Sequence, residues 1–189
     1  MDVLEGLATR RSVSAFSPAG PPREVVERII EAATWAPNHR HTEPWRFAVL
    51  AGTAREELGE RVAAWMRVEL DPTVAQKQAE STKKKLLRSP MIVVVSQRTS
   101  AGDAVQDLED YAACSSATQN LLLAAHAEGL ATKWSTGTLA TAPPVFDYLG
   151  LPASDRIVAF VYLGYPAERT EPRGPERAPA VIDWRGFED

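Results

Sequence analysis

The chain has 189 residues, enough for one sizeable core and too few for two ordinary domains. Apolar residues make up 44% and charged residues 24%, and a net charge of −4 gives the surface no general attraction for nucleic acid or anionic lipid. No apolar run is long enough to span a membrane, MDVLEGLATRR does not read as a secretory leader, and a single cysteine, Cys114, fits a reducing cytoplasm.

Val3, Leu4, Leu7 and Ala8 recur at helical spacing and predict a helix ending near Arg10. Pro21 and Pro22 open a second helix along Val25, Val26, Ile29, Ile30 and Ala33, which stops at Pro37. WRFAVL, Trp45 to Leu50, reads as a strand. Thr53 and Glu56 have the spacing of a capping box, ahead of a helix whose apolar face is Leu58, Val62, Trp65 and Met66. From Val68 to Arg88 charge and polarity replace the pattern, which predicts a mobile insertion or a loose helical lid. Pro90 to Ser96 and Ile157 to Leu163 are continuous apolar runs, as strands covered on both faces should be.

Between those strands a long helix runs from about Asp103 to Glu128 and is closed by Gly129. Its middle, AACSSA (Ala112 to Ala117), holds only small residues and suits close approach by another backbone, in a partner subunit or within the same chain. Ala131 to Thr138 is a short strand entering a glycine turn, and Pro143 and Pro144 start a short helix. From about Pro166 to Asp189 an extended tail rich in Pro, Arg and Glu carries Val181, Ile182 and Trp184 as its apolar anchors. With no repeat and no linker, one domain over residues 1–189 is expected.

Several chemistries lack their motifs. No G-x-G-x-x-G follows a strand, and neither a P-loop nor a G-x-S-x-G elbow is present. His39, His41 and His126 with one cysteine are poor material for zinc. The run Lys83 to Lys85 reads as a wet helix face.

Four stretches in order, RRSVSAF (Arg10 to Phe16), APNHRHTEPWRF (Ala36 to Phe47), WSTG (Trp134 to Gly137) and YLGYP (Tyr162 to Pro166), resemble the FMN-dependent nitroreductases, especially their compact short-chain subgroup. The resemblance extends from Met1 to about Pro166. It implies an α+β fold with a central mixed sheet flanked by helices, and an intertwined homodimer with one FMN in each of two interface sites. It also implies an oxidoreductase that passes reducing equivalents from NAD(P)H through bound FMN to a nitroaromatic or quinone acceptor by a ping-pong route. The hard chemistry is then the flavin's, and no catalytic side chain is expected.

Against that family, Arg10, Arg11 and Ser12 match a grip for the flavin phosphate, since planar guanidinium groups bind such oxygens in pairs. The plainer alternative is that both arginines complement the C-terminal dipole of the first helix. Trp134, Ser135 and Thr136 match the strand end whose main chain meets the flavin's reactive face, with Gly137 permitting the exit; otherwise they are an ordinary strand end. Trp35 packs against the flavin or its ribityl chain, or else closes the second helix as a core tryptophan. Ser14 stands where the family has a second basic residue, near the pyrimidine edge where reduction places negative charge. The expected replacement is His39, with Arg40 behind it, reaching across the dimer from a loop with no apolar residue to bury. Glu43 replaces the family's glutamine, and Arg173 and Arg177 are left outside the set. Two rival readings remain: an enzyme using reduced flavin as its substrate, and a non-catalytic flavin-binding carrier or regulatory module.

Overall fold

The computed structural model describes residues 1–100, 102–167 and 177–186. Along these residues run α1 (Val3–Thr9), α2 (Arg23–Thr34), β1 (Trp45–Ala51), α3 (Thr53–Glu69), α4 (Pro72–Leu86), β2 (Met91–Gln97), α5 (Ala104–Ala127), β3 (Ala131–Ser135), α6 (Pro143–Leu149) and β4 (Arg156–Gly164). The two strands without polar alternation, β2 and β4, lie side by side at the centre of a sheet ordered β1-β2-β4-β3. Alternate residues then point to two covered faces. Val93, Val95 and Val161 meet Val26 and Ile29 of α2 and Leu121 of α5, whereas Ile92, Val94 and Phe160 meet Leu58 and Val62 of α3 and Leu86 of α4. Each such fully buried side chain contributes about 1.5–3 kcal/mol, so neither face has room for a polar residue at these positions.

All strand pairings are antiparallel. Parallel character enters at the outer edge of β3, where Ser12 bridges Thr132 and the Val13 N–H donates to the Thr132 carbonyl at 2.9 Å. The expected α+β architecture is therefore observed, with its mixed pairing confined to that bridge. No helix among the described residues is long and apolar enough to cross a membrane.

The stretch from Val68 to Arg88 is not a loose insertion. Asp71 caps α4 by accepting from the Thr73 N–H at 2.8 Å, and Pro72 occupies the first turn. Ala75, Ala79, Thr82 and Leu86 then bury one stripe against α3. The seam is built from small side chains among charged neighbours, so charge dominates the sequence and the contact does not show. The capping box at Thr53 is not formed either. β1 continues to Ala51, Gly52 makes the turn at φ 54° and becomes the N-cap, and Thr53 already lies inside the helix.

The middle of α5 serves both readings of its small residues. Ala113, Cys114 and Ala117 are buried within the chain, while Ala112 is exposed and Ser115 and Ser116 fold their hydroxyls back onto the Tyr111 and Ala112 carbonyls. Burial, then the nearby Asp110 carboxylate, pushes the Cys114 thiol up to about 12, which keeps it neutral and inert. On the same helix Val105 and Leu108 stand 70% and 69% exposed. Close approach also fixes one glycine: a Cβ at Gly164 would lie 2.7 Å from the Pro90 ring. In the tail, the described residues 177–186 form no helix or strand, and Val181, Ile182 and Trp184 are exposed.

Candidate functional site

The chain leaves α1 at Arg10, whose backbone (φ −57°, ψ 134°) is no longer helical. Arg11 turns back on that helix end: its Nη1 donates to the Ala8 carbonyl at 2.7 Å and the Arg10 carbonyl at 2.8 Å. Arg11 thus takes the helix-end role. The Arg10 side chain makes no hydrogen bond or ion pair among the described residues, and both arginines line a cleft of about 490 Å³ with Thr9, His126 and Thr132.

The electrostatics of this cleft are self-opposed. Burial lowers the pKa of Arg10, and repulsion from Arg11 and Arg177 lowers it further. The pKa of His126, whose ring nitrogen lies 2.9 Å from Thr9 Oγ1, is lowered by burial and then by Arg10 and Arg11. Glu5 is the acidic side chain on the wall, and it does not reverse either direction. Arg10 and Arg11 on one cleft wall, with Arg177 near enough to Arg10 to repel it, make a cationic donor set suited to a phosphate dianion, so the residues present fit the phosphate of a flavin mononucleotide. Arg173 lies outside the described residues.

The bridge between Ser12 and Thr132 lays the opening stretch along β3. It brings Lys133 to Ser14, with Nζ donating to Oγ at 3.0 Å. A cation therefore does stand at the position where the family's basic residue is missing, supplied by the neighbouring strand. Sequence reasoning missed it. The signal was a lone lysine in ATKWS, but its meaning depends on a strand pairing that spacing along the chain does not reveal. Trp134 alternates to the opposite face, where its indole Nε1–H donates to the Val158 carbonyl at 3.1 Å and the ring packs on the core. Only its main chain remains for a ligand. Ser135 is half-buried and Thr136 exposed, both on the wall of a second cleft that also contains Lys133.

Trp35 and His39 lie elsewhere. Trp35 is the C-cap of α2 and 81% exposed, which overturns its reading as a core tryptophan. His39 opens a 3-10 turn, His39–His41, and is exposed. The loop around it is not free to project, as the sequence led one to expect. Thr42 Oγ1 and Ser100 Oγ donate to Asp110 at 2.6 Å each, Gln106 Nε2 donates at 2.9 Å, and Arg98 Nη2 donates to the Thr42 and Glu43 carbonyls at 2.9 Å. Arg40 lies 3.5 Å from Asp103, and Pro44 is buried. Arg40, His41 and Glu43, on either side of a right-handed Thr42, hold φ of 57°, 52° and 43°, values uncommon for non-glycine residues that the surrounding bonds help to hold. Burial pushes the Asp110 carboxyl up, but its three hydrogen bonds and Arg98 outweigh that and hold it below the ordinary carboxylate value.

The two groups of residues sit at opposite ends of α5. Asp110 near its start anchors the His39 loop, and His126 in its last turn meets the arginine cleft. At 1.5 Å per residue that separation is about 24 Å along the helix axis. Among the described residues no group of three or more His, Cys, Asp or Glu could hold a metal ion.

Residues 7–165 match the Nitroreductase family. A relative from Bacillus subtilis (strain 168), named "Putative NAD(P)H nitroreductase YfhC", is 32% identical over 166 residues, covering 87% of this chain and 84% of its own. Among solved structures, a nitroreductase-like family protein from Bacillus cereus superposes with a TM-score of 0.83 at 30% identity, covering 95% of this chain and 92% of its own. A nitroreductase with bound FMN from Bacteroides fragilis NCTC 9343 superposes with a TM-score of 0.77 at 29% identity, covering 97% and 98%.

Proposed function

The chain belongs to the nitroreductase family, and from that premise we propose that it is an NAD(P)H-dependent FMN oxidoreductase acting on nitroaromatic or quinone acceptors by a ping-pong route. Bound FMN supplies the hydride chemistry between the dinucleotide and the acceptor. The observation that carries the reading is the arginine cleft, where burial and neighbouring guanidinium charge lower the pKa of Arg10 and His126 and where a phosphate dianion would fit.

In this reading Arg10, Arg11 and the Ser12 hydroxyl hold the phosphate. The main chain of Trp134, Ser135 and Thr136 borders the isoalloxazine. Lys133, steadied by Ser14, provides the cation for its pyrimidine edge, a role the sequence had pointed to His39 and Arg40 for. Trp35 and His39 complete the site from a second copy of the chain. For His39 that assignment rests on the anchoring of its loop at the far end of α5 from the arginine cleft, and for Trp35 on its exposure at the end of α2. It rests also on the exposed Val105 and Leu108 beside small residues on that helix, a face suited to close packing by a homodimer.

One preparation tests the whole. Purified protein should be yellow, bleach on addition of NADH or NADPH, and recover its colour when a quinone is added. Light scattering should return twice the chain mass of 20.6 kDa. Tight FMN that neither dinucleotide bleaches would convert the reading to a flavin carrier, and a colourless protein that takes up no FMN would end it.

A further inference from the structure

A second positively charged cleft lies further along β3, and the flavin reading uses its Lys133 but leaves Lys85 and Arg88 unexplained. Lys85 sits in the last turn of α4, Arg88 follows in the turn before β2, and Lys133 projects from β3 between them. With Ser135, Thr136 and Thr138 they enclose about 520 Å³, floored by Tyr162, which is 2% exposed. The cleft wall has no acidic side chain. None of the three cations is ion-paired among the described residues. On the same hairpin, by contrast, Arg67 meets Glu80 at 2.9 Å and Lys83 meets Glu60 at 2.5 Å. Dipole complementarity at the end of α4 accounts for Lys85, but Arg88 and Lys133 lie outside that helix. Against a chain of net charge −4, unpaired cations ringed by hydroxyl donors select for an anion, and for one with several oxygens to satisfy.

The position of the cleft narrows the choice of anion. Thr132 lines the arginine cleft, and its strand neighbours Lys133 and Ser135 line this one, so the two follow one another along β3. A ligand whose phosphates occupy the second cleft would have its remaining parts beside the segment Ser135–Thr136. We propose that this cleft binds the phosphate groups of the reduced dinucleotide, and that Lys85 and Arg88 favour NADPH over NADH through the 2′-phosphate. This rests on the FMN oxidoreductase reading, because that reading places the electron donor against the same strand end. A 2′-phosphate is a monoester near −2, and two cations aimed at it discriminate against a hydroxyl in that place.

The test uses full-length, FMN-loaded protein and the double variant Lys85→Ala/Arg88→Ala. The wild type should have a lower KM for NADPH than for NADH. The variant should lose that preference, with KM for NADPH rising roughly tenfold or more and the flavin content and spectrum unchanged. Adenosine 2′,5′-bisphosphate, titrated by calorimetry with no turnover involved, should bind the wild type and bind the variant at least tenfold more weakly. A wild-type preference for NADH, an unchanged KM in the variant, or inorganic phosphate competing as well as the bisphosphate would each overturn the proposal. The two levels of the reading fail differently. Bleaching by both dinucleotides with no bisphosphate binding sinks this inference and leaves the oxidoreductase standing. A protein that takes up no FMN ends the oxidoreductase reading and this inference with it, whether or not the bisphosphate binds.

Discussion

The two ends of α5 solve opposite electrostatic problems. At its start Asp110, 1% exposed, accepts from Thr42, Ser100 and Gln106, and two nearby cations have partners: Arg98 on the Thr42 and Glu43 carbonyls, Arg40 on Asp103. At its end Arg10 and Arg11 oppose protonation of His126, and Arg11 and Arg177 oppose that of Arg10. A carboxylate that gathers donors builds a shape; like charges that oppose one another favour a ligand of the other sign. The difference separates residues that hold the molecule together from residues that hold something else, although both groups are charged and both sit where loops meet one helix.

That contrast can be broken most decisively at Asp110. Replacing it with Ala removes the acceptor of buried Gln106 and of half-buried Thr42 and Ser100, and should destabilise the fold by about 2–3 kcal/mol, read as a drop in the urea midpoint at unchanged slope. Its carboxyl is held below the ordinary value of 3.8, so its contribution is complete above that pH and is lost as acid carries the protein through the lower folded value. Wild type and Asp110→Ala should therefore converge in stability at low pH, and a constant difference would show that the contribution is packing. Next in size is Arg10→Ala. It should leave the urea midpoint unchanged or slightly raised while weakening FMN binding by about tenfold to a hundredfold, the worth of one charge-assisted contact of roughly 1.5–3 kcal/mol. Full FMN retention through gel filtration would place the phosphate elsewhere. The smallest effect sharpens the comparison. His126 titrates below 6.5 in the free protein, so it opposes folding increasingly as pH falls below 6.5. An anion between the arginines should relieve the repulsion and move its ring-proton titration upward by NMR. A titration unmoved by FMN would mean the cleft does not hold the phosphate.

The parts of this protein legible in sequence are those where one residue type decides the outcome. β2 and β4 could be read because continuous valine and isoleucine leave no polar face, and α5 because a 24-residue helix ends in a glycine with φ 75°. α4 could not, since its buried seam of Ala75, Ala79 and Thr82 is cheap in hydrophobicity and surrounded by lysine. Thr53 carried the right cap spacing in the wrong frame, one residue beyond where β1 releases the chain. In the candidate site, Arg10 and Arg11 looked equivalent and are not. A helix end claims one of them, and only the path of the backbone after Thr9 decides which. Lys133 was invisible for a related reason. Its partner, Ser14, is 119 residues away, and their meeting depends on a single parallel bridge.

The close approach of Gly164 to Pro90 has a consequence in the currency of descent. The proline ring occupies the space a Cβ at position 164 would need, 2.7 Å from two of its carbons, so the two positions constrain each other across the β2–β4 pair. While Pro90 stays, every drift of Gly164 toward alanine or serine is rejected at the level of the fold, before any question of activity arises. Lineages that first exchange Pro90 for a residue with a freer side chain gain a path to substitution at 164. The glycine of YLGYP should then vary together with position 90 across relatives, rather than with the acceptor each one reduces.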